Sequence, residues 1–106
     1  MKLLSIKKSD KPEKKYVATF CMCPGETKCP MNERKKVHFG AMKDGKPMDD
    51  YTRTKDKEQR ERYRKRHAKE KDQDADTPGA LAYWILWGDS TSIRENIKSF
   101  KEKYNV

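Results

Sequence analysis

The sequence contains little hydrophobic material and no long apolar run. Only 33% of its 106 residues are hydrophobic, whereas 41% are charged. The most apolar stretch, residues 77–88, is too short to cross a bilayer as a helix. A chain of this length forms one domain, and with so few apolar residues we expect a compact but marginally stable fold, with polar segments that become ordered on a partner.

The sequence also lacks the patterns of a catalytic site. It has no glycine-rich phosphate-binding loop, no paired carboxylates and no recognisable nucleophile motif. Its two histidines, His38 and His67, stand apart from any flanking signature that would pair them with a cysteine nucleophile. We interpret His38 as a strand residue and His67 as a surface or helix-packing residue, and we expect neither enzymatic activity nor a cofactor.

Cysteine is scarce, and the number of cysteines is odd. Three cysteines exclude a complete internal disulfide framework, so reduced thiols fit the sequence better. Cys21, Cys23 and Cys29, with His38 across a hairpin, offer the donors of a Cys₃His zinc site. The spacing matches no common zinc knuckle, and Cys21 and Cys23 can simply pack on one strand face. The pattern leaves both alternatives open and favours plain thiols over a metal.

The excess of basic residues is the strongest functional signal in the composition. A net charge of +9 predicts attraction to a polyanion, which can be nucleic acid, an acidic membrane surface or an acidic protein. A basic helix at about 55–71 holds nine Lys/Arg and four Asp/Glu. The candidate partner-binding residues are Arg60, Arg64, Arg66, Lys69 and Lys71. The alternative is a solvated face, because the interleaved acids form i,i+4 pairs with bases of the helix, such as Arg60, Arg62 and Lys65.

Two features bear on the location of the protein. Residues 1–6 are followed at once by Lys7 and Lys8, which is unlike a secretory signal. No segment has the length and hydrophobicity of a membrane span. We therefore expect synthesis in the cytoplasm.

The first half of the chain has the two-residue periodicity of strands. Residues 3–6 predict a short strand with Leu4 and Ile6 on one face. Residues 16–21 predict a second strand, with Tyr16 and Phe20 on one face, and residues 37–39 predict its partner. These two strands form a hairpin at about 15–40, with the cysteine loop at its tip.

The second half has helical patterns with clear start signals. Asp56 is the expected N-cap of the basic helix, and Thr77 followed by Pro78 begins a core helix at 77–88 that Gly88 ends in a left-handed conformation. Ser92 begins an amphipathic helix at about 91–104, with Glu95 completing a capping box.

These elements predict an α+β fold. A small N-terminal β-hairpin or three-stranded antiparallel sheet packs against two or three C-terminal helices, and the core helix lies at the centre. The expected core residues are Tyr16, Phe20, Phe39, Tyr51, Tyr63, Leu81, Trp84, Ile85, Trp87, Ile93, Ile97 and Phe100.

Four segments in this order carry a family resemblance: residues 37–40, residues 50–52, Tyr63 with Arg66-His67, and the tryptophan helix running on to Ile93. With these segments the chain resembles a family of small basic proteins of nucleocytoplasmic large DNA viruses, notably those of algae and protists. The cysteine loop departs from that family. Physically the segments fit structural roles, with Tyr51 packing under Gly40 and with Arg66 and His67 bonding the turn at 50–52.

The resemblance implies a viral origin without assigning an activity. A compact basic module made by a large icosahedral virus suggests a virion component, most readily a minor capsid or cement protein that contacts acidic capsid proteins, and located in the virion after synthesis in the host cytoplasm. The alternative is a small nucleic-acid-binding protein, associated with the genome or regulatory.

Overall fold

The protein combines an antiparallel sheet with a helical C-terminal half, and a computed structural model describes its residues 1–22 and 29–106. The four strands lie in the order β1-β2-β3-β4. The strands are β1 (Lys2–Lys8), β2 (Lys14–Cys21), β3 (Arg34–Lys43) and the short β4 (Lys46–Pro47). The helices are α1 (Tyr51–Thr54), α2 (Lys57–Arg66), α3 (Pro78–Leu81) and α4 (Ile93–Tyr104). The α+β class predicted from the sequence is confirmed.

Strand β1 contains a β-bulge, which changes the side chains of this strand that point toward the core. Leu3 pairs with Phe20 and Ser5 pairs with Thr19, so Leu4 is the extra residue. Because the bulge shifts the alternation by one position, Leu3 and Ile6 both contact the core, while Leu4 is 40% exposed. The expectation that Leu4 shares a face with Ile6 is therefore wrong.

The core lies between one face of the sheet and residues 78–86. Alternation along β2 and β3 turns Ala18, Phe20, Val37 and Phe39 inward, where all four are buried. Of the expected core residues, those that are buried are Phe20, Phe39, Tyr51, Leu81, Ile85, Trp87 and Phe100. Those that are half-buried and packed against them are Tyr16, Tyr63, Trp84, Ile93 and Ile97. Trp84 thus lies at the rim of the core.

The central helix comprises α3 and a wider π-helical turn, Ala82–Leu86. Its N-terminus follows the predicted chemistry, because the Thr77 side chain accepts a hydrogen bond from the Ala80 N–H and Pro78 occupies the first turn. The widening is visible where the Trp87 N–H donates to the Ala82 carbonyl, five residues back, at 3.1 Å.

Gly88 ends this helix for a different reason from the one predicted. Among the described residues, the glycines with positive φ are Gly40 and Gly45, so the left-handed conformation expected at Gly88 does not occur. A Cβ at Gly88 would instead clash with the Trp84 carbonyl oxygen and lie 2.7 Å from Cγ of Asn96. Gly88 is needed because the chain here passes close both to the backbone of the preceding turn and to the buried Asn96 side chain.

Two further helices also begin at the residues that the sequence indicated. The Asp56 side chain accepts from the Glu58 and Gln59 N–H groups, and the Ser92 side chain accepts from the Glu95 N–H. The Glu95 carboxylate accepts a hydrogen bond from the Ser90 hydroxyl at 2.6 Å. In a capping box this carboxylate would instead accept a hydrogen bond from the Ser92 N–H.

The apolar pattern of α4 does not predict that Asn96 is buried, yet its exposed fraction is 2%. Asn96 joins α4 to the preceding helix. Its amide nitrogen donates to the carbonyls of Ile85 and Ser90, at 2.9 and 2.7 Å, and its oxygen accepts from the Ser90 N–H at 3.0 Å. The side chain therefore pairs backbone groups at the end of the central helix that would otherwise be buried without partners.

Candidate functional site

The first candidate surface is the basic helix α2, and the structure gives Arg60 an internal role there. Its Nη1 donates to the carbonyls of Gly88 and Asp89 at 3.4 and 3.3 Å. The guanidinium also lies 4.7 Å from the centroid of the Tyr51 ring, within cation–π range. Carbonyls at a helix C-terminus lack partners within the helix, so Arg60 is committed to holding the end of the central helix.

Arg64, one turn further along α2, also binds carbonyl and carboxylate groups at the end of the central helix. Its Nε donates to the Trp87 carbonyl at 2.8 Å, and its Nη2 lies 3.0 Å from Oδ1 of Asp89. Its side chain is only 19% exposed. Arg60 and Arg64, which the sequence predicts as partner-binding residues, thus use these donors within the protein itself. Arg66, Lys69 and Lys71 are exposed and stay available.

This difference along one helix yields a stability prediction. We expect Arg64→Ala to lower the free energy of unfolding by about 1–3 kcal/mol, because it removes charged hydrogen bonds and leaves the Trp87 carbonyl without its donor. The matched control Arg66→Ala, at an exposed position, is expected to change it by about 0.5 kcal/mol or less. Urea unfolding followed by circular dichroism measures both, and equal effects would contradict the internal role of Arg64.

The second candidate surface is the face of the sheet that points away from the helices. Register places Lys7, Val17 and His38 in one row across β1, β2 and β3, and Ser5, Thr19 and Lys36 in the next row. We call this the outer sheet face, and it comprises Lys2, Leu4, Ser5, Lys7, Val17, Thr19, Arg34, Lys36 and His38. The three long strands contain nine Lys/Arg and no Asp or Glu.

The outer sheet face is also partly apolar. A depression of about 650 Å³ on it is lined by Leu4, Ser5, Thr19, Met31, Arg34 and Lys36. Leu4 is 40% exposed and Met31 is 71% exposed. The surface therefore offers an apolar contact surrounded by positive charge, a combination that the basic helix lacks.

A third candidate, which we call the central cleft, lies between the sheet and the helices and has a volume of about 730 Å³. Each of the four segments that carry the resemblance contributes to its lining. The contributing residues are Gly40, Asp50, Tyr63, Arg66, His67, Leu86 and Trp87. Gly40 has φ +83°, and a Cβ there would lie 3.1 Å from Cδ1 of Leu86, so glycine is required where the strand meets the central helix.

Three rings are stacked along one wall of the central cleft. Trp87 and Tyr63 have centroids 4.3 Å apart and planes at 8°, and Tyr63 and His67 have centroids 4.1 Å apart and planes at 20°. Nδ1 of His67 lies 3.1 Å from Oε2 of Glu70. Burial, and then the negative charge of Glu70, raise the pKa of the Tyr63 hydroxyl, which keeps this ring neutral.

The turn at residues 50–52 is held by a residue that sequence reasoning missed. Nζ of Lys15 lies 2.5 Å from Oδ2 of Asp50, and the two side chains are 7% and 3% exposed. Oδ1 of Asp50 accepts from the Thr52 N–H at 2.8 Å. Among the described residues, no hydrogen bond joins Arg66 or His67 to this turn. Lys15, from strand β2, makes the contact that was expected of those two residues.

The cysteines correct a second expectation. Cys21 and Cys29 form a disulfide, with Cα atoms 5.9 Å apart, a separation within the ordinary disulfide range. An odd number of cysteines excludes a complete framework, but it leaves room for one bridge across the hairpin tip. Cys23 lies outside the described residues.

The proposed fourth zinc ligand has another contact. Nδ1 of His38 lies 2.6 Å from Oγ of Ser9. With two of the candidate sulfurs bonded to each other, Cys21, Cys23, Cys29 and His38 do not form a Cys₃His donor set in this state. Within residues 1–22 and 29–106, no group of three or more His, Cys, Asp or Glu is placed to hold a metal ion.

Comparison with known proteins places the chain in a family. Residues 4–67, more than half of the chain, match the model described as "Family of unknown function (DUF5754)", and the chain belongs to that family. The match runs from β1 through α2 and ends at His67. No curated protein and no solved structure matches the chain. In the described part of the chain, every helix is too short or too polar to span a membrane.

Proposed function

We propose that this protein is a non-enzymatic structural component of a virion, a minor capsid or cement protein that docks onto an acidic capsid surface through its outer sheet face. The viral setting rests on the sequence resemblance. The observation that carries the docking role is the outer sheet face itself, where four cations from β1 and β3, Lys2, Lys7, Arg34 and Lys36, remain exposed. The packed sheet and helices behind this face hold it rigid.

The mixed character of the face favours a protein as the partner. Protein interfaces bury apolar contacts at the centre and place polar or charged groups around them. Leu4 and Met31 supply exposed apolar atoms, and Arg34 and Lys36 lie beside them in the same depression. An acidic protein with a small apolar projection complements this arrangement in both shape and charge.

Nucleic acid is the second candidate partner. It is favoured by the absence of acids from the three long strands, since phosphates would meet no repulsion there. Against it, the outer sheet face presents no Phe, Tyr or Trp side chain on which an unpaired base could stack. Binding to a duplex through phosphates alone would be independent of sequence and would weaken steeply with salt.

Charge reversal tests the docking surface. The double variant Lys7→Glu/Lys36→Glu reverses two exposed cations on the outer sheet face, and the control Lys57→Glu/Lys98→Glu makes the same charge change on exposed helix positions. We expect the first to weaken co-sedimentation with stripped virus particles about tenfold or more, and the control to change it about threefold at most. Equal effects of both variants would contradict this face.

Two further measurements separate the candidates. Proteomics of particles stripped layer by layer should place the protein in a capsid layer, and its absence from particles would contradict the structural role. Fluorescence anisotropy with duplex DNA, at low and high salt, tests the second candidate. Tight DNA binding that the sheet-face variant abolishes, without binding to particles, would replace the capsid partner with nucleic acid.

A further inference from the structure

The central cleft contains an unfinished stack of rings. One face of Tyr63 is covered by Trp87 and the other by His67. The His67 side chain is 38% exposed, although Tyr63 covers one face of its ring and Glu70 contacts its Nδ1 edge. The surface of His67 that these contacts leave uncovered is the Nε2 edge and the ring face opposite Tyr63, and we infer that a further planar group can stack on that face.

The central cleft is lined by three cations and three carboxylates, which are Lys14, Lys15, Arg66, Asp49, Asp50 and Glu70. Lys15 is neutralised by Asp50, and Glu70 lies beside His67. Lys14 and Arg66 also line the cleft, and no ion pair joins either of them to another described residue. An anionic group on a ligand would meet these two cations.

We propose that the central cleft binds a planar ring carrying a phosphate, that is, a nucleotide unit, either free or at the unpaired end of a nucleic-acid strand. The ring stacks on the open face of His67 and extends the series Trp87, Tyr63, His67. The phosphate pairs with Arg66 and Lys14. A volume of about 730 Å³ is within the range of small-molecule sites. This site is separate from the outer sheet face, so it stands or falls independently of capsid docking.

Adenosine monophosphate is the probe for the first test. We expect it to shift the amide resonances of residues around the cleft in a ¹⁵N NMR titration, and to bind more tightly than inorganic phosphate or adenosine alone. A ten-residue oligo(dA) strand that competes with the mononucleotide identifies a strand end as the ligand. Failure of the strand to compete identifies a free nucleotide. If the mononucleotide causes no shifts, or binds no better than inorganic phosphate, the proposal is overturned.

Matched variants assign the two halves of the site. His67→Ala should lower affinity for adenosine monophosphate about fivefold or more, since it removes the stacking ring, and His67→Phe should retain affinity within about threefold. The control His38→Ala changes the other histidine, on the outer sheet face, and should have no effect. Arg66→Gln should weaken binding of the nucleotide but not of adenosine, whereas Lys69→Gln should change neither.

The exposed position of Arg66 keeps the test decisive if His67→Ala does not fold. Circular dichroism and the dispersion of the NMR spectrum report the fold of each variant before titration. Unchanged nucleotide affinity in folded Arg66→Gln and His67→Phe/Arg66→Gln proteins would contradict the phosphate contact. Equal losses in His38→Ala and His67→Ala would contradict the stacking site.

Discussion

Replacing Asp50 with alanine is expected to lower the free energy of unfolding by about 3–5 kcal/mol, because it leaves the Lys15 ammonium buried without its counter-charge. The side chains of Lys15 and Asp50 are 7% and 3% exposed. The substitution also removes the acceptor of the Thr52 N–H at the start of α1. For a small domain, whose total stability is about 5–15 kcal/mol, a loss of this size shifts urea unfolding to much lower concentrations.

The neighbouring residue provides the control. Asp49 is 64% exposed and lies 3.9 Å from Arg53, so Asp49→Ala should change stability by about 0.5 kcal/mol or less. The double variant Lys15→Met/Asp50→Ala should recover about 1 kcal/mol or more relative to Asp50→Ala, since no unpaired charge remains. If Asp49→Ala and Asp50→Ala are equally mild, the buried pair does not stabilise the fold.

Local features were the ones that the sequence predicted well. Helix starts at Thr77, Asp56 and Ser92 follow from side chains that cap backbone groups two or three residues away. The inward face of β2 follows from simple alternation. In each case the atoms that decide the structure are close together in the sequence, so composition and spacing contain the answer.

Contacts between distant segments could not be predicted in the same way. Lys15 and Asp50 are far apart in the chain, and only the hairpin brings them together. The bulge at Leu4 depends on how β1 aligns with β2, and a shift of one residue exchanges the two faces. The helical periodicity of α4 predicts that Ile93, Ile97 and Phe100 face the core. It does not identify Asn96 as a buried residue, because Asn96 is polar.

The candidate site shows the same division. Charge counting identified α2 as basic, but it could not show that Arg60 and Arg64 are occupied by carbonyls at the end of another helix. The outer sheet face could not be predicted from the sequence, because its cations are divided between β1 and β3. They form one surface only when the strands pair. The bulge in β1 also places the exposed Leu4 on that surface.

The two tryptophans, Trp84 in the central helix and Trp87 directly after it, are expected to contribute unequally, although they are only three residues apart. Trp87 is 7% exposed, and its ring is stacked on Tyr63 with centroids 4.3 Å apart. Trp84 is half-buried at the rim of the core, where its Nε1 donates to the Lys71 carbonyl at 3.2 Å and Lys103 lies over its ring. We expect Trp87→Ala to cost about 3–5 kcal/mol of unfolding free energy, and Trp84→Ala about 1–2 kcal/mol.

The comparison is controlled by residue type, since both variants replace a tryptophan with alanine. Far-UV circular dichroism should follow the urea transition, because each variant removes one of the chain's two tryptophans and so alters the fluorescence signal itself. A larger loss at Trp84 than at Trp87 would contradict the placement of Trp84 at the rim of the core and of Trp87 within it. The expected order, with Trp87 more costly, would show that the wall of stacked rings in the central cleft is also part of the core.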